Sequence, residues 1–154
     1  MEFVKMINYT IMILFFVCYS YQFLFVLISF FAQHKKEQGS SAPHRIAALI
    51  AARNEEIVIG NLIDSLKAQN YPQELLDVYV VADNCTDRTA AVARQHGAIV
   101  FERFNKVQVG KGYALNFLLE KIAESGNKPD AYIVFDADNL VDPNFVAAMN
   151  QSYS

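Results

Sequence analysis

The chain has 154 residues, of which 53% are hydrophobic, and a formal net charge of −3 at pH 7. Because charges of both signs are interspersed, no basic face indicates a protein that binds nucleic acid. The two cysteines, Cys18 and Cys85, lie far apart, and no Cys/His spacing suits zinc, so we expect neither a disulfide nor a zinc site.

The chain begins with a long apolar segment. Residues 7–32 carry no charged side chain, and this length exceeds the ~20 residues that a helix needs to cross a bilayer. A cleaved signal peptide would have a shorter apolar core and small residues at its end. We therefore predict that residues 1–32 form a retained transmembrane anchor in the cell membrane, with a signal peptide as the alternative.

The charges that flank this segment predict its orientation. Lys35, Lys36 and Arg45 follow it, whereas Lys5 on its amino side is offset by Glu2. By the positive-inside rule, this single-pass arrangement places the carboxyl-terminal part in the cytoplasm. Residues 33–44 are polar and contain Gly, Ser and Pro, which is typical of a linker.

The remaining residues alternate apolar runs with segments of helical spacing. The predicted strands are residues 46–51, 78–82, 99–101 and 131–135, and we expect the last to be fully buried. The predicted helices cover residues 59–66, 90–96 and 115–122, and another begins near Pro143. This order predicts an α/β fold with a doubly wound, mostly parallel sheet and helices on both faces.

Polar residues follow every predicted strand. In parallel sheets, ligands bind beyond the carboxyl ends of the strands. The candidates at this rim are Arg53, Asn54, Glu55 and Glu56 after the first strand, Asp83 after the second, Gly110-Lys111-Gly112 after the third, and Asp136 and Asp138 after the fourth. Four loops thus deliver carboxylates, a lysine and glycines to one edge.

Each of these motifs has two interpretations. Asp136 and Asp138 could converge on one hard cation with a phosphate on its other side, or they could cap a turn or the next helix. Asn54 and Glu55 could bind a ligand or cap the first helix. The Gly-Lys-Gly segment could serve only as a flexible turn. Thr86 is predicted to be the N-cap of the second helix, with Asp87 in its first turn.

Taken in order, four segments resemble the motifs of glycosyltransferase family 2. They are Ala51-Ala-Arg-Asn-Glu-Glu56, Val80-Val-Ala-Asp-Asn-Cys-Thr-Asp87, Gly110-Lys-Gly-Tyr-Ala-Leu-Asn116 and Phe135-Asp-Ala-Asp138. The resemblance covers about residues 45–150. It implies the GT-A fold and an inverting transferase that uses a nucleotide-activated sugar, usually a UDP-sugar, with Mn²⁺ or Mg²⁺.

The family includes the membrane-bound synthases of cellulose, hyaluronan and poly-N-acetylglucosamine. The resemblance therefore implies a glycan or lipid-linked acceptor, with cell-surface polysaccharide synthesis as the expected process. A polyprenyl-phosphate sugar synthase is the alternative within the family.

The resemblance also implies roles for single residues. Those that match the motif lining the nucleotide pocket are Ala52, Arg53, Asn54 and Glu55. Asp83 matches the acid that contacts the uracil or the ribose, and Lys111 matches the lysine close to the donor. Asp138 matches the direct metal ligand, and Asp136 the acid that faces the ribose or the metal. Ala82 stands where many members have an acid, which leaves the choice of uracil open.

The resemblance assigns no general base to this sequence. Family members supply the base from an acidic segment well after the D-x-D pair, and this sequence ends at Ser154. We therefore expect the base to lie beyond Ser154. Residues 45–154 are accordingly predicted to be a partial GT-A domain, truncated to the nucleotide-sugar-binding half of a larger transferase and inactive alone.

Two other functions fit parts of the sequence. One is a non-catalytic module that binds a nucleotide sugar. The other is a phosphatase of the haloacid dehalogenase type, whose D-x-D-x-[TV] motif would include Asp136, Asp138 and Leu140. Leu140 does not fit that motif, which also normally opens its domain.

Overall fold

The computed structural model describes residues 1–31 and 42–153, without the side chains of residues 30 and 31. The chain divides into two compact units, residues 1–38 and 39–154. Residues 33–41 of the predicted linker lie outside the described residues, and residues 42–45 have no regular secondary structure.

The first unit contains one helix, α1 (Glu2–Phe31), which confirms a continuous helix in the apolar segment. A rise of 1.5 Å per residue makes it roughly 45 Å long. Its segment Glu2–Ser29 contains a window with a mean hydropathy of 2.3. By length and composition, α1 could therefore span a membrane.

The second unit alternates strands and helices, as predicted. Its elements are β1 (Ile46–Ala52), α2 (Ile59–Lys67), a 3₁₀ turn (Gln73–Leu75), β2 (Leu76–Asp83), α3 (Thr89–Gln95), β3 (Ile99–Arg103), α4 (Lys111–Glu124), β4 (Ala131–Asp136) and α5 (Phe145–Tyr153). The strands form a parallel sheet in the order β3-β2-β1-β4. The predicted α/β class and parallel sheet are confirmed.

Helices cover both faces of this sheet because the strands carry apolar residues on both sides. On one face, α2, α3 and α5 contribute Leu62, Ala93 and Val146 to the larger core. On the other, α4 contributes Leu118 and Ile122 to a smaller one. Because all four strands are parallel, their carboxyl ends lie at one rim.

The expectation that β4 is fully buried was wrong. Tyr132 and Val134 are 46% and 48% exposed, whereas Phe135 on the opposite face is 7% exposed. Tyr132 and Val134 are exposed because β4 is an edge strand and α4 lies over β1, β2 and β3. A run of apolar residues does not reveal which strand will lie at an edge.

Candidate functional site

The loop after β1 is tied to the loop after β2. Ala52 is buried at the strand end, whereas Arg53 and Asn54 are exposed. Asn54 has a left-handed backbone, with φ of 57°, which asparagine adopts more readily than most residues. Its Oδ1 accepts a hydrogen bond of 2.8 Å from the backbone N–H of Thr86. Asn54 therefore joins two loops of the rim, and its side chain does not cap α2.

The backbone of Glu55 stabilises the start of α2 and contacts Thr89. Its carbonyl oxygen accepts hydrogen bonds from the N–H groups of Val58 and Ile59, at 3.1 and 3.0 Å, where α2 begins. Its own N–H donates to Oγ1 of Thr89 at 2.8 Å. The interpretation of the Glu55 carboxylate as a helix cap is therefore not borne out, and that carboxylate makes no contact that α2 depends on.

The predicted N-cap at Thr86 was also wrong, because α3 begins later, at Thr89. Asp87 instead accepts the hydrogen bond from the N–H of Thr89, the first residue of α3. Its Oδ1 accepts from the N–H and hydroxyl of Thr89 at 3.0 and 2.5 Å, and its Oδ2 accepts from the N–H of Glu56 at 3.1 Å. Desolvation acts to raise the pKa of Asp87, but these hydrogen bonds outweigh it and hold the pKa below its usual value.

Asp83 ends β2 in a buried ion pair that the sequence reasoning missed. Its Oδ1 lies 2.6 Å from Nη1 of Arg103, and the two side chains are only 8% and 6% exposed. Arg103 ends β3, directly opposite Asp83 in the parallel register. Parallel pairing of the third predicted strand with the second could have indicated that the two residues lie close together.

Two asparagines complete the surroundings of Asp83. Asn84, which has a left-handed φ of 53°, donates from Nδ2 to Oδ1 of Asp83 and to the carbonyl of Asn105, each at 3.1 Å. Its Oδ1 accepts from the N–H of Asn105 at 2.9 Å. Among the described residues, the Asp83 carboxylate is thus held by Arg103 and Asn84 through Oδ1, and no hydrogen bond from them reaches Oδ2.

Lys111 and Asp136 come together across the rim. Lys111 is the first residue of α4, and its Nζ forms an ion pair with Oδ1 of Asp136 at the end of β4. The turn after β4 is closed by Asn139, whose Oδ1 accepts from the N–H of Asp136 at 3.0 Å. Asp136 and Asp138 are both exposed in this turn.

The two aspartates do not serve α5, since that helix begins at Phe145 and the nearby Asp142 accepts a hydrogen bond from the N–H of Asn144. Within the described residues, no group of three His, Cys, Asp or Glu side chains could hold a metal ion. Within the described residues, Asp136 and Asp138 are the two carboxylates of this turn. This set suits Mg²⁺-type binding, in which one or two carboxylates and the phosphates of a substrate share the ion.

A cavity of about 120 Å³ lies at this rim, lined by Ala51, Ala52, Arg53, Asp83, Gly110, Lys111 and Ala114. It unites four of the predicted site residues, which come from three loops. Asn54, Glu55, Asp136 and Asp138 are not part of its lining, although Asp136 reaches it through the ion pair with Lys111.

Comparison with known proteins places the chain in a family. The family model described as glycosyltransferase-like family 2 matches residues 43–153. The chain belongs to glycosyltransferase family 2. Membership agrees with the motifs that carried the resemblance, and it favours a transferase over the haloacid dehalogenase alternative.

Curated family-2 relatives are much longer than the part they share with this chain. The β-monoglucosyldiacylglycerol synthase of Synechocystis is 35% identical over 106 residues, which cover 65% of this chain and 21% of the relative. The 4,4'-diaponeurosporenoate glycosyltransferase of Staphylococcus haemolyticus is 32% identical over 125 residues, which cover 78% and 31%. The chain thus spans between about a fifth and a third of these relatives.

Solved glycosyltransferase structures share the fold. The mannosyltransferase PcManGT of Pyrobaculum calidifontis aligns over 75% of this chain and 36% of its own, with a TM-score of 0.57 and 23% identity. The glucosyl-3-phosphoglycerate synthase of Mycobacterium tuberculosis aligns over 68% and 38%, with a TM-score of 0.51 and 27% identity. The predicted GT-A fold is therefore confirmed, and the chain is truncated relative to these neighbours.

Proposed function

We propose that this family-2 chain binds the nucleotide-sugar donor of an inverting glycosyltransferase. The donor is a UDP-sugar, and the acceptor is a lipid-linked or glycan hydroxyl at the membrane. The observation that carries the proposal is the cavity shared by Ala52, Arg53, Asp83 and Lys111. A general base outside the residues assigned above would complete the enzyme.

The size of the cavity supports a subsite for the base of the nucleotide. Its volume of about 120 Å³ is small compared with the roughly 300–1,000 Å³ of pockets that hold whole ligands. That space suits one small heterocycle, so the diphosphate and sugar must extend along the rim. Asp83 can accept a hydrogen bond from the imide N–H of uracil or from a ribose hydroxyl, because a carboxylate only accepts.

The charges of the rim suit the diphosphate. Lys111 carries a positive charge, which stabilises the negative charge that develops on the leaving diphosphate. Asp136 and Asp138 would hold a divalent cation, Mn²⁺ or Mg²⁺, which neutralises the same charge when it is bound. Lys111 is paired with Asp136 in the structure, so cation binding would free the lysine for the phosphates.

The comparisons support a nucleotide-sugar donor and a lipid or glycan acceptor. PcManGT was solved with GDP-Man and Mn²⁺, and TarS 1-349 of Staphylococcus aureus, with a TM-score of 0.58 and 19% identity, was solved with UDP-GlcNAc. The Synechocystis relative is named for the synthesis of a glucosylated diacylglycerol. A lipid acceptor is consistent with α1 as a membrane anchor and with the second unit in the cytoplasm.

Calorimetry of the full chain in detergent micelles tests this proposal. We expect UDP to bind more tightly with Mn²⁺ than with a chelator, and we expect ADP to bind more weakly than UDP. Asp83→Asn should weaken UDP roughly tenfold to a hundredfold, the value of a hydrogen bond to a charged group. UDP binding that is absent, or equally strong for ADP, would refute the proposal.

The metal ligands have their own matched control. Asp136→Asn and Asp138→Asn should each remove the Mn²⁺ dependence of UDP binding. Asp142→Asn, which changes an exposed aspartate later in the same loop, should leave that dependence intact. Equal behaviour of Asp138→Asn and Asp142→Asn would exclude Asp138 as a metal ligand.

A further inference from the structure

The loop between β3 and α4 exposes an unusual amount of apolar surface. The β3–α4 loop, residues 104–110, reads Phe-Asn-Lys-Val-Gln-Val-Gly and contains no acidic residue. Phe104 is 72% exposed, Val107 93% and Val109 47%, and Tyr113 in the first turn of α4 is 53% exposed. Single exposed apolar side chains are ordinary, but a cluster of four marks a surface that meets something other than water.

These side chains form one surface because they share a cleft. Phe104, Val109 and Tyr113 line an open cleft of about 880 Å³ together with Phe117 of α4. Val107, the most exposed member of the loop, lies in the same seven-residue segment. The charged residues of the cleft are Glu102, Arg103 and Glu120, whereas Lys106 is the charged residue of the exposed loop and lies outside the cleft lining.

Several polar backbone groups of the loop are paired within the protein. Oδ1 of Asn105 accepts hydrogen bonds from the N–H groups of Val107 and Gln108, both at 2.9 Å. Nη2 of Arg103 donates to the carbonyl of Gln108 at 2.8 Å. A loop whose backbone groups are paired loses little when it leaves water, whereas unpaired groups carry a large desolvation cost.

We propose that the β3–α4 loop and Tyr113 insert into the headgroup region of a bilayer that contains anionic lipids. Aromatic and aliphatic side chains next to a lysine are typical of segments that enter this region, to a depth of about 5–10 Å. Lys106 attracts anionic headgroups. The proposal rests on the loop and on α1, and it does not depend on the proposed donor site.

The chain carries its own candidate membrane anchor, α1. Only residues 32–45 separate the end of α1 from the start of β1, so a fully extended connection reaches at most about 50 Å. With α1 in a bilayer, the second unit stays within reach of the lipid surface. Because this tether keeps a lipid surface within reach, we take lipid as the occupant of the exposed loop.

Fluorescence quenching in lipid vesicles tests the insertion. The full chain with Cys18→Ser and Cys85→Ser carries one new cysteine, either Val107→Cys or, as a matched exposed control before β4, Lys128→Cys. Each is labelled with the fluorophore NBD and reconstituted in phosphatidylcholine and phosphatidylglycerol. At residue 107 we expect a blue-shifted emission and a several-fold larger loss of intensity with doxyl-labelled lipid than at residue 128.

Two results would overturn the proposal. An unshifted emission at residue 107 would mean that the loop stays in water. A blue shift without quenching by doxyl lipid would mean that a protein surface, such as a second copy, covers the loop. A photo-crosslinking benzoylphenylalanine at residue 107, with both native cysteines kept, checks the result independently. We expect adducts with lipid, and adducts with protein alone would also contradict insertion.

Discussion

Nη1 of Arg103 lies 2.6 Å from Oδ1 of Asp83, and less than a tenth of either side chain is exposed. The pair joins the ends of two neighbouring parallel strands, and the guanidinium also holds the carbonyl of Gln108. Arg103 therefore links the floor of the small cavity to the β3–α4 loop. Because both charges are desolvated, each depends on the other.

Removal of Arg103 should be strongly destabilising. Arg103→Met leaves the Asp83 carboxylate buried without its cation, which costs about 3–5 kcal/mol of unfolding free energy. Urea denaturation of the full chain in micelles measures this loss. The same variant should bind UDP more weakly, because Asp83 is no longer held in place.

The matched control is Arg94→Met. Arg94 lies 2.8 Å from Glu102, but these side chains are 49% and 42% exposed, so the pair is worth only about 0.2–1 kcal/mol. If Arg103→Met and Arg94→Met lowered the unfolding free energy by the same small amount, the buried pair of Arg103 and Asp83 would contribute no more to stability than an exposed one.

Gly126 is predicted to be intolerant of a side chain. It follows α4 with a φ of 77°, a left-handed conformation that costs most residues about 1–2 kcal/mol. Gly126→Ala should lower the unfolding free energy by that amount. Gly126→Asn should lose less, because asparagine adopts this conformation more easily.

Gly112, near the start of α4, offers the opposite case. It has no left-handed φ, and an added Cβ would meet no atom within 4 Å. Gly112→Ala should therefore raise the unfolding free energy, by up to about 1 kcal/mol from helix propensity. Equal effects of alanine at both positions would show that the backbone conformation of Gly126 carries no constraint.

Asp87 should make stability depend on pH in the acid range. Its folded pKa lies below the ordinary value of 3.8, because hydrogen bonds from Thr89 and Glu56 outweigh desolvation. The stabilisation is therefore complete above pH 3.8 and is lost as the pH falls through the lower folded pKa. Asp87→Asn should flatten this part of the profile of unfolding free energy against pH. An unchanged profile in the variant would show that other carboxyls cause the acid loss.

Most of the fold could be predicted because periodicity reports local structure. The helix spacing of Ile59, Leu62 and Leu66 and the four apolar runs correspond to observed elements. The errors arose where the outcome depends on neighbours. Thr86 is a good N-cap residue, yet Asp87 takes that acceptor role because the N–H of Glu56 in another loop also reaches it. The outer face of β4 is exposed because α4 lies over other strands.

The candidate site, too, could be predicted only in part. The residue types at the strand ends, Arg53, Asp83, Lys111 and the Asp136–Asp138 pair, were evident without any coordinates. Which of them line one cavity depends on the loops, whose course is set by left-handed turns at Asn54 and Asn84. The role of Arg103 was not predicted, because an arginine at the end of a short strand belongs to no local sequence pattern that marks it as an ion-pair partner.

By itself, the sequence determined the order of the elements, the apolar amino-terminal helix and the family, since each of these follows from local patterns along the chain. Tertiary structure alone decided that Asp83 is held by Arg103, that Lys111 pairs with Asp136 and that the β3–α4 loop lies exposed. These relationships join residues distant in sequence. Their geometry depends on how parallel strands come into register, which no local pattern of side chains records.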